Sequence, residues 1–129
     1  MVQTAIPFNH DGPSPMTKTD FANKLKRLQR RHEQLIKRRN PPQKNGNGIF
    51  DRHEFPVLSA EHTPLSWRYD FNRAHNPHLM TRLGINCVFN AGAMEWNGNI
   101  VLMARVEGWD RKSFFAVAES KTGVDGFRF

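Results

Sequence analysis

The chain has a single cysteine, Cys87, so no internal disulfide can form and a reducing compartment is the simplest setting. Cys87 lies between Asn86 and Val88 in an apolar run, where a buried structural thiol is expected rather than a nucleophile. Long apolar runs are also lacking: none approaches the roughly 18 residues that a membrane helix requires. The N-terminus, MVQTAIPFNHDGPSP, carries neither a basic n-region nor an apolar stretch long enough for a signal peptide. A soluble, cytoplasmic protein without membrane partners is therefore expected. His75 and His78 have no Cys or second His pair at ligand spacing, so they read as surface histidines and no metal is expected. Apolar residues are scarce in residues 1–48 and become dense only near Phe55. That leaves about 70–80 residues for the packed part, near the lower limit for a free-standing domain. The chain is expected to be the first part of a larger fold, truncated at its C-terminus.

What is present centres on residues 85–120, INCVFNAGAMEWNGNIVLMARVEGWDRKSFFAVAES, three apolar runs separated by two polar turns. Asn97-Gly98 sits between apolar flanks, and both residues tolerate the positive φ of a tight hairpin. Residues 93–96 and 100–106 are thus expected to pair antiparallel. Residues 113–119 supply a third strand, and Lys121-Thr122-Gly123-Val124-Asp125-Gly126 turns the chain into Phe127-Arg128-Phe129. There Phe127 and Phe129 share one face of a beginning fourth strand.

Upstream, residues 1–16 read as a disordered arm. A helix follows over residues 17–40, capped by Thr19 or Asp20 and running to about Arg39, before Asn40-Pro41-Pro42. Phe21, Leu25, Leu28, His32, Leu35 and Ile36 fall on one helical stripe. The remaining faces are basic: residues 17–39 hold nine Lys or Arg against Asp20 and Glu33, a net +7 that equals the charge of the whole chain. Such a helix invites a nucleic-acid reading. No aromatic is interleaved on the basic face, and no zinc, RRM or KH signature accompanies it. The preferred reading is a solvated face whose apolar stripe docks on its own protein or a sister subunit, with no nucleic-acid partner.

Residues 43–48 form a linker, and Phe55-Pro56-Val57-Leu58 reads as a short edge strand. Residues 59–70, SAEHTPLSWRYD, have no period; either they line a site or they plug the core with Trp67 and Tyr69. Asn76-Pro77-His78-Leu79-Met80 allows one helical turn. Arg105, flanked by Ala104 and Val106, needs a partner if buried, Glu107 or Glu119 by position.

The combination His62-Thr63-Pro64, Trp67-Arg68-Tyr69-Asp70, Phe89-Asn90-Ala91-Gly92-Ala93, Arg105-Val106-Glu107-Gly108, residues 110–120 and Phe127-Arg128-Phe129 resembles the N-terminal third of glycoside hydrolase family 130. The likeness covers roughly residues 20–129 and is nearest to the branch acting on a β-mannosyl-glucose disaccharide. It implies a fold that is mainly β with an N-terminal helix, part of a five-bladed β-propeller with about one blade in residues 41–129. It implies a homo-oligomer that meets through the helix. It also implies phosphorolysis with inversion, giving α-mannose 1-phosphate and glucose, with inorganic phosphate as co-substrate and no other cofactor.

Inverting hydrolysis needs one carboxylic acid for the leaving oxygen and a second carboxylate to activate water. Phosphate is already an anionic nucleophile, so a phosphorylase needs one acid and several cations. The family's acid, an aspartate in a Tyr-Asp-Met-Arg motif, has no counterpart in residues 1–129. No catalytic residue is therefore assigned, Glu107 is declined as the acid, and the isolated chain is expected to be inactive. The resemblance places Asn90 and Arg105 at the mannose subsite, Arg111 on the sugar across the scissile bond, and Asp110 as a partner orienting Arg111. A non-catalytic oligomerisation or binding module using helix 20–39 is the competing reading.

Overall fold

The structure is a computed structural model that describes residues 13–82 and 84–129. One helix, α1 (Lys18–Ile36), precedes an antiparallel sheet of β1 (Ile85–Trp96), β2 (Asn99–Gly108) and β3 (Ser113–Ser120), in that spatial order. Mainly β with an N-terminal helix is the architecture observed. Most of the residues assigned to the arm lie outside the described residues. At its end, the Met16 carbonyl accepts from Arg73 Nε at 3.1 Å and Nη2 at 2.6 Å.

α1 is capped by Thr17, not Thr19 or Asp20. Its hydroxyl accepts from the Asp20 N–H at 3.1 Å and donates to the Asp20 carboxylate at 2.7 Å, which also places negative charge at the positive end of the helix. The helix ends at Ile36, short of Arg39. The Arg38 N–H bonds to the Leu35 carbonyl in a tightened turn, and Asn40, buried just beyond, is pinned at four points. Its backbone N–H donates to Asp125 Oδ2 at 3.2 Å and its amide NH₂ to the Phe55 and Val124 carbonyls at 2.8 and 2.9 Å. Its amide oxygen accepts from the Phe55 N–H at 2.9 Å. These bonds explain why residues 55–58 are not the expected strand: the Phe55 backbone is engaged by a side chain, and Pro56 has no N–H to give to a ladder. Val57 and Leu58 pack on the core instead.

The stripe of α1 docks on its own chain. Phe21 and Ile36 are buried, while Leu25, Leu28, His32 and Leu35 are half-buried. Lys24 Nζ donates to the His78 carbonyl at 2.7 Å, and Glu33 pairs with Arg128 at 3.2 Å.

Asn97 and Gly98 take φ of 49° and 71°, and Trp96 lies opposite Asn99, so the hairpin forms as its residues predict. β1 begins earlier than residue 93 because Ile85-Asn86-Cys87-Val88-Phe89 also pairs with β2. Leu102, Ala104 and Val106 of β2 and Ala116, Ala118 and Ser120 of β3 are buried on one face, following the period of two. The core cluster joins Leu102 and Ala118 to Phe127, which is 1% exposed, and Val57, Leu58, Ile100 and Phe129 close around it. The fourth strand is a single antiparallel bridge: Arg128 and Glu119 exchange both backbone bonds, at 2.8 and 2.9 Å. The opposite face of the sheet presents Met94, Met103, Phe115 and Val117 to solvent.

Residues 59–70 hold two turns of 3-10 helix, Ala60–His62 and Leu65–Trp67. Trp67 acts as a plug, its ring 5.4 Å from Phe114 in a T-shaped contact and 5.5 Å from Phe129. Residues 76–80 form a tight turn closed by the Leu79 N–H on the Asn76 carbonyl at 2.9 Å, not a helical one. Leu79 stands at φ 45°, and the Asn76 amide bridges the Asp70 and Met80 carbonyls at 3.0 and 2.8 Å.

Candidate functional site

The residues singled out by resemblance gather in the half of the sheet where β2 turns into β3. Arg105 lies on β2 directly opposite Phe89 of β1 and Phe115 of β3. Its guanidinium carbon stands 4.7 Å from the Phe89 ring centroid, its Nε donates to Ser113 Oγ at 3.0 Å, and its Nη2 is 3.9 Å from Glu107 Oε2. The side chain is 42% exposed, so the positional expectation of a Glu107 partner is met by a long, solvated contact that leaves donors free. Glu107, only 14% exposed, also accepts from the Asn86 amide at 2.9 Å. It is thus held between a cation and an amide.

Asn90 follows Phe89 at a β-bulge, where the register slips between Phe89 and Gly92. The extra residue bends β1, and Asn90 takes a φ of 51° and is exposed. An asparagine there offers an amide that both donates to and accepts from a hydroxyl. Arg111 stands in the β2–β3 turn at φ 65°, exposed, its N–H bonded to the Gly108 carbonyl at 3.1 Å. Asp110 accepts from the Lys112 N–H at 3.1 Å and lies 4.0 Å from Lys112 Nζ, so its carboxylate shapes the turn in which Arg111 stands. The register thus sets Asn90 next to the Phe89–Arg105 pair, with Arg111 in the turn that follows β2; Asn90 and Arg111 are exposed. Exposed amide and guanidinium donors of this kind can hydrogen-bond hydroxyls or anions.

Two features here were not read from the sequence. Phe89 lies beneath Arg105, which only the register reveals. Trp109, 63% exposed, leans on Gly84 so closely that a Cβ there would run into its ring. Its position next to Asp110-Arg111 in a polar turn was the available signal. Cys87 is half-buried rather than buried, with the Asn86 amide 3.8 Å from its sulfur. Among the described residues no three His, Cys, Asp or Glu side chains cluster to hold a metal ion, and no helix is long and apolar enough to cross a membrane.

No family model matches the chain. It is 53% identical over 109 residues to the 4-O-β-D-mannosyl-D-glucose phosphorylase of Bacteroides fragilis, a match covering 84% of this chain and 28% of that protein. With more than half of the aligned residues identical, the chain is a homologue of part of 4-O-β-D-mannosyl-D-glucose phosphorylase.

Proposed function

We propose that the chain is a segment of an inverting glycoside phosphorylase that cleaves 4-O-β-D-mannosyl-D-glucose with inorganic phosphate to α-D-mannose 1-phosphate and D-glucose. The observation that carries this reading is the 53% identity to the Bacteroides fragilis enzyme. The gathering of Asn90, Arg105 and Arg111 on one half of the sheet supports it.

In this reaction a phosphate oxygen forms a bond to the mannosyl anomeric carbon from the face opposite the glucose. The bond to glucose O4 breaks, and an acid delivers a proton to that oxygen. Asn90 and Arg105 hold the mannosyl hydroxyls and Arg111 holds the glucose, so that the anomeric carbon is fixed relative to both reacting oxygens. The acid is supplied by an aspartate outside residues 1–129, as are the phosphate-holding cations, and the isolated chain is inactive. Phosphate is the co-substrate, and no metal takes part.

The sheet serves as about one blade of a five-bladed propeller. The apolar face formed by Met94, Met103, Phe115 and Val117 supports that reading, since an antiparallel sheet with two apolar faces needs a layer on each. Residues 17–40 serve a homo-oligomer in the cytoplasm. The test is phosphorolysis by a longer chain that carries residues 1–129 together with the aspartate motif. Glucose must appear from mannosylglucose only when phosphate is present.

A further inference from the structure

The chain's excess positive charge is concentrated in residues 17–39, and part of it faces a groove instead of open solvent. Between α1 and the two 3-10 turns runs a groove of about 450 Å³, lined by Arg31, His32, Arg38 and Arg68 together with Leu28 and Leu35. The carboxylate on its rim belongs to Glu61. Among the described residues none of the three arginines stands in an ion pair.

Two of them are fixed in ways that leave donors unspent. Arg38 stacks on Phe55, its guanidinium carbon 3.6 Å from the ring centroid, which orients the plane while its N–H edge remains available. Arg68 donates from Nη2 to the Glu61 carbonyl at 3.1 Å, whereas its Nε is buried and has no acceptor among the described residues. The Arg68 charge is thus uncompensated beside the groove, where an anion would offset it through the guanidinium's remaining N–H groups. The volume exceeds that of a bare phosphate and suits a small ligand, and the leucines offer apolar contact to its body.

We propose that this groove binds a phosphoryl group, as inorganic phosphate or as a phosphate monoester, through Arg31, Arg38 and Arg68. It shares no residue with the Asn90, Arg105 and Arg111 region, so the site is additional to the reaction proposed above and does not depend on it.

The test is calorimetric titration of the 129-residue chain at fixed ionic strength, with inorganic phosphate in one arm and a hexose 1-phosphate in the other. Saturable binding is expected in at least one arm. It should weaken about tenfold or more in Arg68→Gln and in Arg31→Gln, as for a lost charge-assisted hydrogen bond. Arg31 is exposed, so its variant retains the fold even if Arg68→Gln does not. Arg27→Gln removes the same charge from the helix outside the groove and should leave binding unchanged. Tighter binding of the ester assigns the leucines to its body; equal binding assigns the site to the phosphoryl group alone. Absence of saturation in both arms would overturn the proposal, as would an equal loss in Arg27→Gln. So would stronger binding of a short oligonucleotide that depends on Arg27, because the charge would then serve a nucleic-acid backbone.

Discussion

Asn90, at the bulge inside β1, and Arg111, in the β2–β3 turn, share the left-handed backbone region, with φ of 51° and 65°. Asparagine visits this region readily, because its short side chain hydrogen-bonds locally; arginine does not, and the conformation costs it roughly 1–2 kcal/mol. Strain of that kind is retained where the surroundings or the function demand the side chain. Arg111→Gly should therefore raise stability by about 0.5–1 kcal/mol, part of the relief being offset by the greater unfolded-state freedom of glycine. In a longer, catalytically complete chain the same substitution should slow phosphorolysis. Urea midpoints and turnover measured side by side check this; a loss of stability, or unchanged turnover, would count against the assignment of Arg111.

Asn40 ties the end of α1 to two distant segments. Asn40→Ala leaves the Phe55 N–H and the Phe55 and Val124 carbonyls without their partner in a buried position. A destabilisation of about 2–4 kcal/mol is expected, since several bonds of this kind are lost together. Chemical denaturation measures it, and a change below about 1 kcal/mol would show that water or relaxation replaces them.

How much of this was legible follows a physical division. The hairpin at Asn97-Gly98, the third strand and the shared face of Phe127 and Phe129 are local patterns, set by turn chemistry and by the period of two. The stripe of α1 was legible for the same reason. Asn40 was not, because its partners lie 15 and 84 residues away and nothing local marks an asparagine as a staple. The strand expected at Phe55-Pro56-Val57-Leu58 failed for the same cause, its backbone being claimed by that distant amide. At the candidate site, Asn90, Arg105 and Arg111 could be named by resemblance, but their nearness depends on register. The bulge that turns Asn90 outward has no signature in Asn90-Ala91-Gly92 beyond the presence of residues that permit it.

His62 gives a pH dependence of definite sign. Burial, then the nearby Arg38 and His32 charges, hold its pKa below the ordinary 6.5, and its Nδ1 accepts from the Ser59 N–H at 3.0 Å, a bond that protonation would destroy. The unfolded chain therefore binds a proton more readily than the folded one. Stability is complete above the unfolded value and falls as pH drops from there toward the folded value. Glu33 is held below the ordinary carboxyl value by Lys37 and Arg128, and Asp125 by Thr122 and Asn40, so both stay ionised through this window. As pH falls below about 6.5 the chain should lose stability, and His62→Gln should lose less. Equal slopes for the two proteins would remove His62 as the cause.

Arg105→Ala separates a folding role from a binding role. With the side chain 42% exposed and its Glu107 contact at 3.9 Å, the change in stability should stay under about 1 kcal/mol. In a longer chain with the catalytic apparatus, loss of a charged hydrogen bond to the sugar should lower turnover by roughly ten- to a hundredfold. Loss of folding in step with activity would return Arg105 to a structural part.

The most direct measurement is glucose release from 4-O-β-D-mannosyl-D-glucose by two proteins, residues 1–129 alone and a longer chain that carries them with the aspartate motif, each with and without inorganic phosphate. Leaving-group protonation and phosphate positioning at the scissile bond each contribute large factors to the rate, and the proposed reading assigns neither to residues 1–129. The expected result is no turnover by the short chain and phosphate-dependent release, with α-mannose 1-phosphate as the second product, by the longer one. Turnover by the 129-residue chain itself would contradict the account, because the acid would then have to be Glu107 or Asp110. Release by the longer chain without phosphate would contradict it equally, because the reaction would then be hydrolysis.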